Sequence, residues 1–168
     1  MIVAEQSISV LLVRDLPSKS VTGLLDRYNL EVDWLADNAP IKGSFWGAPE
    51  AGIIGNCVYI RPDTPVHSFL HETCHIICMD PSHRANHTGN AGSDDLEESA
   101  VCYLQVLLAD ILPGAGRGRL MQDMDNWGYS FRLGSTRRWF DEDADDAKAW
   151  LLKHDLIDAK GRPTFFLR

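Results

Sequence analysis

Val66-His67-Ser68-Phe69-Leu70-His71-Glu72-Thr73-Cys74-His75-Ile76-Ile77-Cys78-Met79 is the stretch on which the reading of this 168-residue chain turns. Inside it lies His71-Glu72-x-x-His75. On a helix, residues four apart share a face and are separated by a rise of ~6 Å, so the two imidazoles can meet on one ion. Glu72 stands roughly 100° round the axis from His71, beside such an ion rather than on it, where it can hold and deprotonate a water. The flanks carry helix signals. Thr64 suits an N-cap and Pro65 a first helical position, and Asp80-Pro81 ends the run. Upstream, residues 56–60 read as a strand closed by residues 61–65.

Downstream, residues 82–92 are polar, contain His83, Arg84 and His87, and read as a surface loop. Ser93 or Asp94 can then cap a second long helix over 94–112, in which Leu96, Ala100, Tyr103, Leu104, Leu107, Leu108 and Ile111 recur at helical spacing. Residues 113–116 stop it. Catalytic zinc usually takes three protein ligands and leaves a position for water, so two histidines on the first helix call for a third donor elsewhere. Glu97 is favoured. It shares a stripe with Val101, Leu104, Leu108 and Ile111, and a carboxylate on an otherwise apolar stripe is costly unless paired or bound to metal. Glu98 projects instead with Cys102 and Gln105, a stripe that reads as wetter. Asp80, five after His75, is an alternative ligand, but its place beside Pro81 suits helix termination better. A subset of His71, Cys74, His75 and Cys78 offers a Cys-His structural site. The helix rise of ~10 Å from His71 to Cys78 forbids one ion from taking all four, and small buried packing residues are the simpler account of the thiols.

His71-Glu72-Thr73-Cys74-His75 followed by Glu97-Glu98-Ser99-Ala100-Val101-Cys102-Tyr103-Leu104 resembles the gluzincin branch of the zincin metallopeptidases, and within it the small ImmA/IrrE-like type. There a second helix carries a ligand glutamate, a small residue three positions on and an aromatic three after that; Glu97, Ala100 and Tyr103 fill those places. The resemblance covers about residues 56–112. It implies Zn²⁺ held by His71, His75 and Glu97, with Glu72 as the catalytic acid–base group and a peptide or protein as substrate. Cys74 stands where the family often has Gly, and Val101 where an Asn often follows the alanine. These departures motivate an alternative, a non-catalytic metal-stabilised interaction or sensor module. The metzincin variant is excluded, because its third His falls on Pro81. An oxyanion donor is needed for hydrolysis, and Tyr129, Arg132 and the nearby histidines are candidates. His67 suits either a support behind the ligands or the surface, and the strand over 57–60 an edge for an extended peptide, as in similar zincins.

The whole chain accommodates this centre. Its length suits one compact domain, expected as a single α+β zincin-like domain over 1–168, with a metal-binding core at about 56–112 and a C-terminal helical extension at 117–168. A helix pair packed on a small, mostly antiparallel sheet is the expected architecture. The remaining elements read as a strand over 7–13, a helix over 21–29, a strand over 30–35, a Gly-rich loop over 41–56, helices over 117–127 and 139–153, and a last strand within 157–167. A net charge of −8 argues against nucleic-acid binding, which needs a basic face. The start carries no signal-peptide pattern, no apolar run is long enough for a membrane, and Cys57, Cys74, Cys78 and Cys102 suit reduced thiols. A cytoplasmic protein is the expectation.

Overall fold

Two buried helices laid side by side carry the molecule, and the remaining elements wrap them. In the computed structural model, which describes residues 9–168, a one-turn 3-10 helix (Val13–Asp15) is followed by α1 (Ser20–Arg27), β1 (Glu31–Trp34), β2 (Gly52–Ile54) and β3 (Cys57–Ile60). Then come α2 (Val66–Cys78), α3 (Pro81–Asn86), α4 (Asp95–Ala109), α5 (Arg117–Trp127), α6 (Thr136–Glu142) and α7 (Asp145–Lys153). The fold is α+β. Its three-stranded sheet is mixed, with β3 in the middle, parallel to β1 and antiparallel to β2.

α2 is a core helix. Of its 13 residues only His71 and Glu72 are not buried, because α4, α5, β2 and β3 all lie against it. It starts one residue later than the sequence suggests: Pro65 is the N-cap, and Thr64 Oγ1 instead accepts from Arg61 N at 3.0 Å. The last carbonyls of a helix have no partner within it. Here the buried Arg84 supplies one, donating from Nε to Ile76 O at 2.8 Å and from Nη2 to Met79 O at 2.6 Å. The same guanidinium reaches Arg168 O at 2.9 Å and so ties the end of α2 to residue 168. Arg84 rides on α3, which occupies the stretch expected to be a loop; Asp80 accepts from His83 N at 2.9 Å and caps it, with Pro81 in the first turn. Asp80 therefore ends one helix and begins the next.

α4 is also immersed. Every residue from Ala100 to Ala109 is buried, with α2, α5 and α7 as neighbours. Asp94 is its N-cap, accepting from Glu97 N at 2.8 Å. The single helix expected over 139–153 is two, α6 and α7, interrupted at Asp143 and Ala144. Aromatic stacking holds α6: Trp139 lies 4.5 Å from Phe131 and Phe140 lies 4.4 Å from Tyr103, centroid to centroid.

Residues 7 and 8 of the strand expected over 7–13 lie outside the described residues. Of the remainder only Leu12 pairs, in a bridge to Pro65, before the chain turns into the 3-10 helix. The last strand is likewise reduced to a bridge between Ile157 and Pro163. Residues 41–51 double back over β2. A Cβ at Gly52 would lie 1.9 Å from Lys42 O, so only glycine permits this contact. The fold-back projects Phe45 and Trp46, both exposed, beside His71 and Glu72. No helix among the described residues is long and apolar enough to cross a membrane.

Candidate metal centre

α2 contributes two imidazoles and α4 a carboxylate to one point. His71 Nε2 lies 2.9 Å from Glu98 Oε1, His75 Nε2 lies 3.2 Å from Glu98 Oε2, and the two Nε2 atoms are 3.1 Å apart. Three lone-pair donors this close repel one another unless a cation or shared protons sit among them. Ligands at 2.0–2.1 Å around a tetrahedral ion are separated by about 3.3 Å, close to the three spacings seen. The donor set, two imidazoles and a carboxylate, is one that zinc takes. The residues present therefore fit a divalent ion.

Glu97, the expected third donor, does not join them. It points along α4 toward residue 168, where its Oε1 accepts from Arg168 Nη1 at 3.0 Å. α4 is buried on nearly every side, so an apolar stripe does not mark its one inward face. The stripe of Glu98, Cys102 and Gln105 is polar because it faces the two histidines, not because it faces water: Cys102 is 6% and Gln105 0% exposed. With Glu98 in this place, the positions three and six further on are Val101 and Leu104. The alanine and aromatic of the resemblance, Ala100 and Tyr103, then fall out of step with the carboxylate.

Gln105 stands beside the centre, its i, i+7 relation to Glu98 putting it on the same stripe. Its Nε2 donates to His67 O at 2.8 Å, and its Oε1 lies 2.9 Å from His71 Nδ1. With the amide nitrogen committed to a carbonyl, the amide oxygen must accept. That places the His71 proton on Nδ1 and leaves Nε2 bare toward His75 and Glu98. Replacing Gln105 by Leu is expected to weaken binding of a divalent ion about 10–100-fold, measured by competition with a chromophoric chelator; unchanged affinity would remove Gln105 from the centre.

The other groups of the centre have distinct environments. Glu72 lies with His71 and His75 in a cluster whose donor atoms are all within 4.8 Å of one another. Burial pushes its carboxyl up to about 7, against the pull of His71 and with help from Glu98 and Glu50. Burial also acts to raise Glu98, but the hydrogen bonds of the two imidazoles outweigh it and hold the carboxyl far below the usual range. His75 is pushed down, first by burial. Cys102 approaches from α4 and forms a second cluster of the same tightness with His71 and Glu98. His67 is fully buried behind the centre, 4.9 Å from the Trp127 ring, with Nδ1 3.2 Å from Tyr129 Oη; burial lowers it to about 3, so it is neutral.

A groove passes over the centre. A cavity of about 560 Å³ lies on one side, bounded by Pro49, Glu50, Trp127 and Tyr129. Another of about 330 Å³ lies on the other, bounded by Phe45 and residues 89–93. Both share Trp46, His71, Glu72 and Glu98. Of the candidate oxyanion donors, Tyr129 stands on the wall, its ring 5.7 Å from that of His71, whereas Arg132 is ion-paired with Asp143 and borders a different depression. His83 and His87 serve the loop rather than the groove: His83 Nε2 is 2.8 Å from Asn90 O and His87 Nε2 is 2.8 Å from Gly55 O. Cys74 and Cys78 are buried core thiols and belong to no donor cluster among the described residues. β3 offers no free edge, since β1 and β2 flank it; the expectation of strand addition there is overturned by the sheet order.

Fold and site together define an α+β protein whose central helix pair carries a His-Glu-His donor group capable of holding a metal ion, with a second carboxylate alongside. No protein-family model matches the chain, and comparison with curated proteins and with solved structures returns no significant match to either.

Proposed function

We propose that the protein is a zinc-dependent hydrolase of the zincin kind, acting on peptide bonds. The observation that carries this reading is the convergence of His71, His75 and Glu98 within 2.9–3.2 Å of one another, with the Glu72 carboxylate beside them on the floor of an open groove. An ion held by those three residues supplies Lewis acidity, acidifying water and polarising a carbonyl oxygen. The chain's own groups do the rest. Glu72 takes a proton from the attacking water on its carboxylate and returns it to the leaving amide nitrogen. Gln105 keeps His71 in one tautomer and orientation. Tyr129, on the groove wall, is the side chain available to donate to the developing oxyanion. Trp46 borders both halves of the groove.

The test is metal analysis of the purified protein together with cleavage of a mixed peptide library. About one zinc per chain is expected, with cleavage lost on chelation and restored by added zinc. Cleavage that survives complete removal of metal, or a purified protein that takes up no zinc, overturns the reading.

Cys102 supports a second reading. Its thiol lies within 4.8 Å of donor atoms of both His71 and Glu98, so a thiolate can close the coordination shell and make a non-catalytic, metal-stabilised interaction or sensor module. X-ray absorption separates the two: sulfur in the shell and no exchangeable water favour the sensor, nitrogen and oxygen alone the hydrolase.

A further inference from the structure

The half of the groove bounded by Glu50 is unlike the other half in chemistry. Glu50 is half-buried, and its Oε1 accepts from Trp127 Nε1 at 2.7 Å. That bond fixes the carboxylate in direction without neutralising it. Among the described residues no Lys, Arg or His nitrogen pairs with it, and no Lys or Arg borders this cavity. The cavity wall carries three carboxylates, Glu50, Glu72 and Glu98; the last two stand at the centre, and Glu50 is the one set apart from it. The half-buried Glu50 carboxylate thus faces the cavity with one hydrogen-bond donor and no cationic partner.

The walls match the same kind of guest. Trp46 is 76% and Trp127 37% exposed, two indoles with accessible surface in the same cavity wall as Glu50, and indole faces attract ammonium and guanidinium groups. The volume of about 560 Å³ accommodates a long side chain. Across the centre, Phe45 and residues 89–93 contribute no charged group of their own, so the preference belongs to one side of the scissile bond only.

Resting on the hydrolase reading, we infer that this cavity is a subsite for a cationic side chain, lysine or arginine, of the polypeptide substrate, with Glu50 as its counter-ion and Trp46 and Trp127 as its walls. Glu50 is a specificity-determining residue and takes no part in the bond cleavage itself.

The experiment uses the zinc-loaded protein carrying Glu72→Gln, so that peptides persist, and measures calorimetric binding of blocked pentapeptides identical except for Lys, Arg, norleucine or Glu at the central position. Free butylammonium is a further arm. Lysine and arginine peptides are expected to bind about tenfold or more tightly than the norleucine peptide, with the Glu peptide weakest. Adding Glu50→Gln, which preserves an acceptor for Trp127, is expected to erase that advantage while leaving the norleucine affinity where it was. Equal binding of lysine and norleucine peptides, or an advantage that survives Glu50→Gln, overturns the subsite. Butylammonium binding as tightly as the lysine peptide, and equally sensitive to Glu50→Gln, overturns the polypeptide assignment in favour of a free amine. Failure of the hydrolase reading shows separately, as absence of cleavage of every one of these peptides by the protein with Glu72 intact.

Discussion

Replacing Glu72 by Gln is expected to leave zinc bound and to lower peptide hydrolysis about 10²–10⁴-fold, the range typical of removing a positioned acid–base group. Gln keeps the shape of the side chain and its place against His71 and His75, so the fold and the three donor atoms are undisturbed. What it loses is the capacity to receive a proton from water and pass it to the leaving nitrogen. The loss should therefore appear in kcat with little change in KM, because no binding contact has been removed. Parallel measurement of metal content and steady-state cleavage checks both halves. A variant that holds zinc and cleaves at the original rate would remove Glu72 from the chemistry.

The second large effect separates two adjacent residues. Glu98→Ala takes away the carboxylate that meets both imidazoles, at 2.9 and 3.2 Å, and is expected to weaken zinc binding by more than ~100-fold, beyond the loss typical of a supporting group. Glu97→Ala breaks the part-buried pair with Arg168 and is expected to leave zinc affinity unchanged. Competition titration of the two purified variants decides the matter. Loss of zinc in the Glu97 variant with retention in the Glu98 variant would reverse the assignment and return α4 to the orientation its apolar spacing suggests.

That reversal of neighbours shows where the sequence stopped being legible. The two histidines and Glu72 were readable because their relation is local: one helix, fixed by 3.6 residues per turn, with a clear stop at Asp80-Pro81. The third donor depends on how α4 is rotated about its own axis against α2, and a helix buried all round carries little periodic information about that rotation. Gln105 and Cys102 form a polar stripe in the sequence, but polarity facing a buried site and polarity facing solvent look alike in one sequence. α3 was hidden for a related reason. Its reason to exist is Arg84, which answers the carbonyls of α2 and residue 168 across eighty-four positions, a demand that residues 82–92 do not express locally. The break between α6 and α7 falls in the acidic run at Asp143, where a partner outside the helix, Arg132, takes the carboxylate. Helix α5, by contrast, has the bounds expected of it, since Gly116 and Gly128 delimit it from both ends.

The central position of β3 bears on how any guest is chosen. Proteins that lengthen a sheet with a visiting chain read its backbone, and so accept many sequences with similar grip. Among the described residues, none of β1, β2 or β3 borders the groove, and the middle strand is already saturated on both flanks. A guest in the groove would therefore meet the side chains of Trp46, Glu50 and Trp127 and the loop over residues 89–93 rather than the edge of a strand.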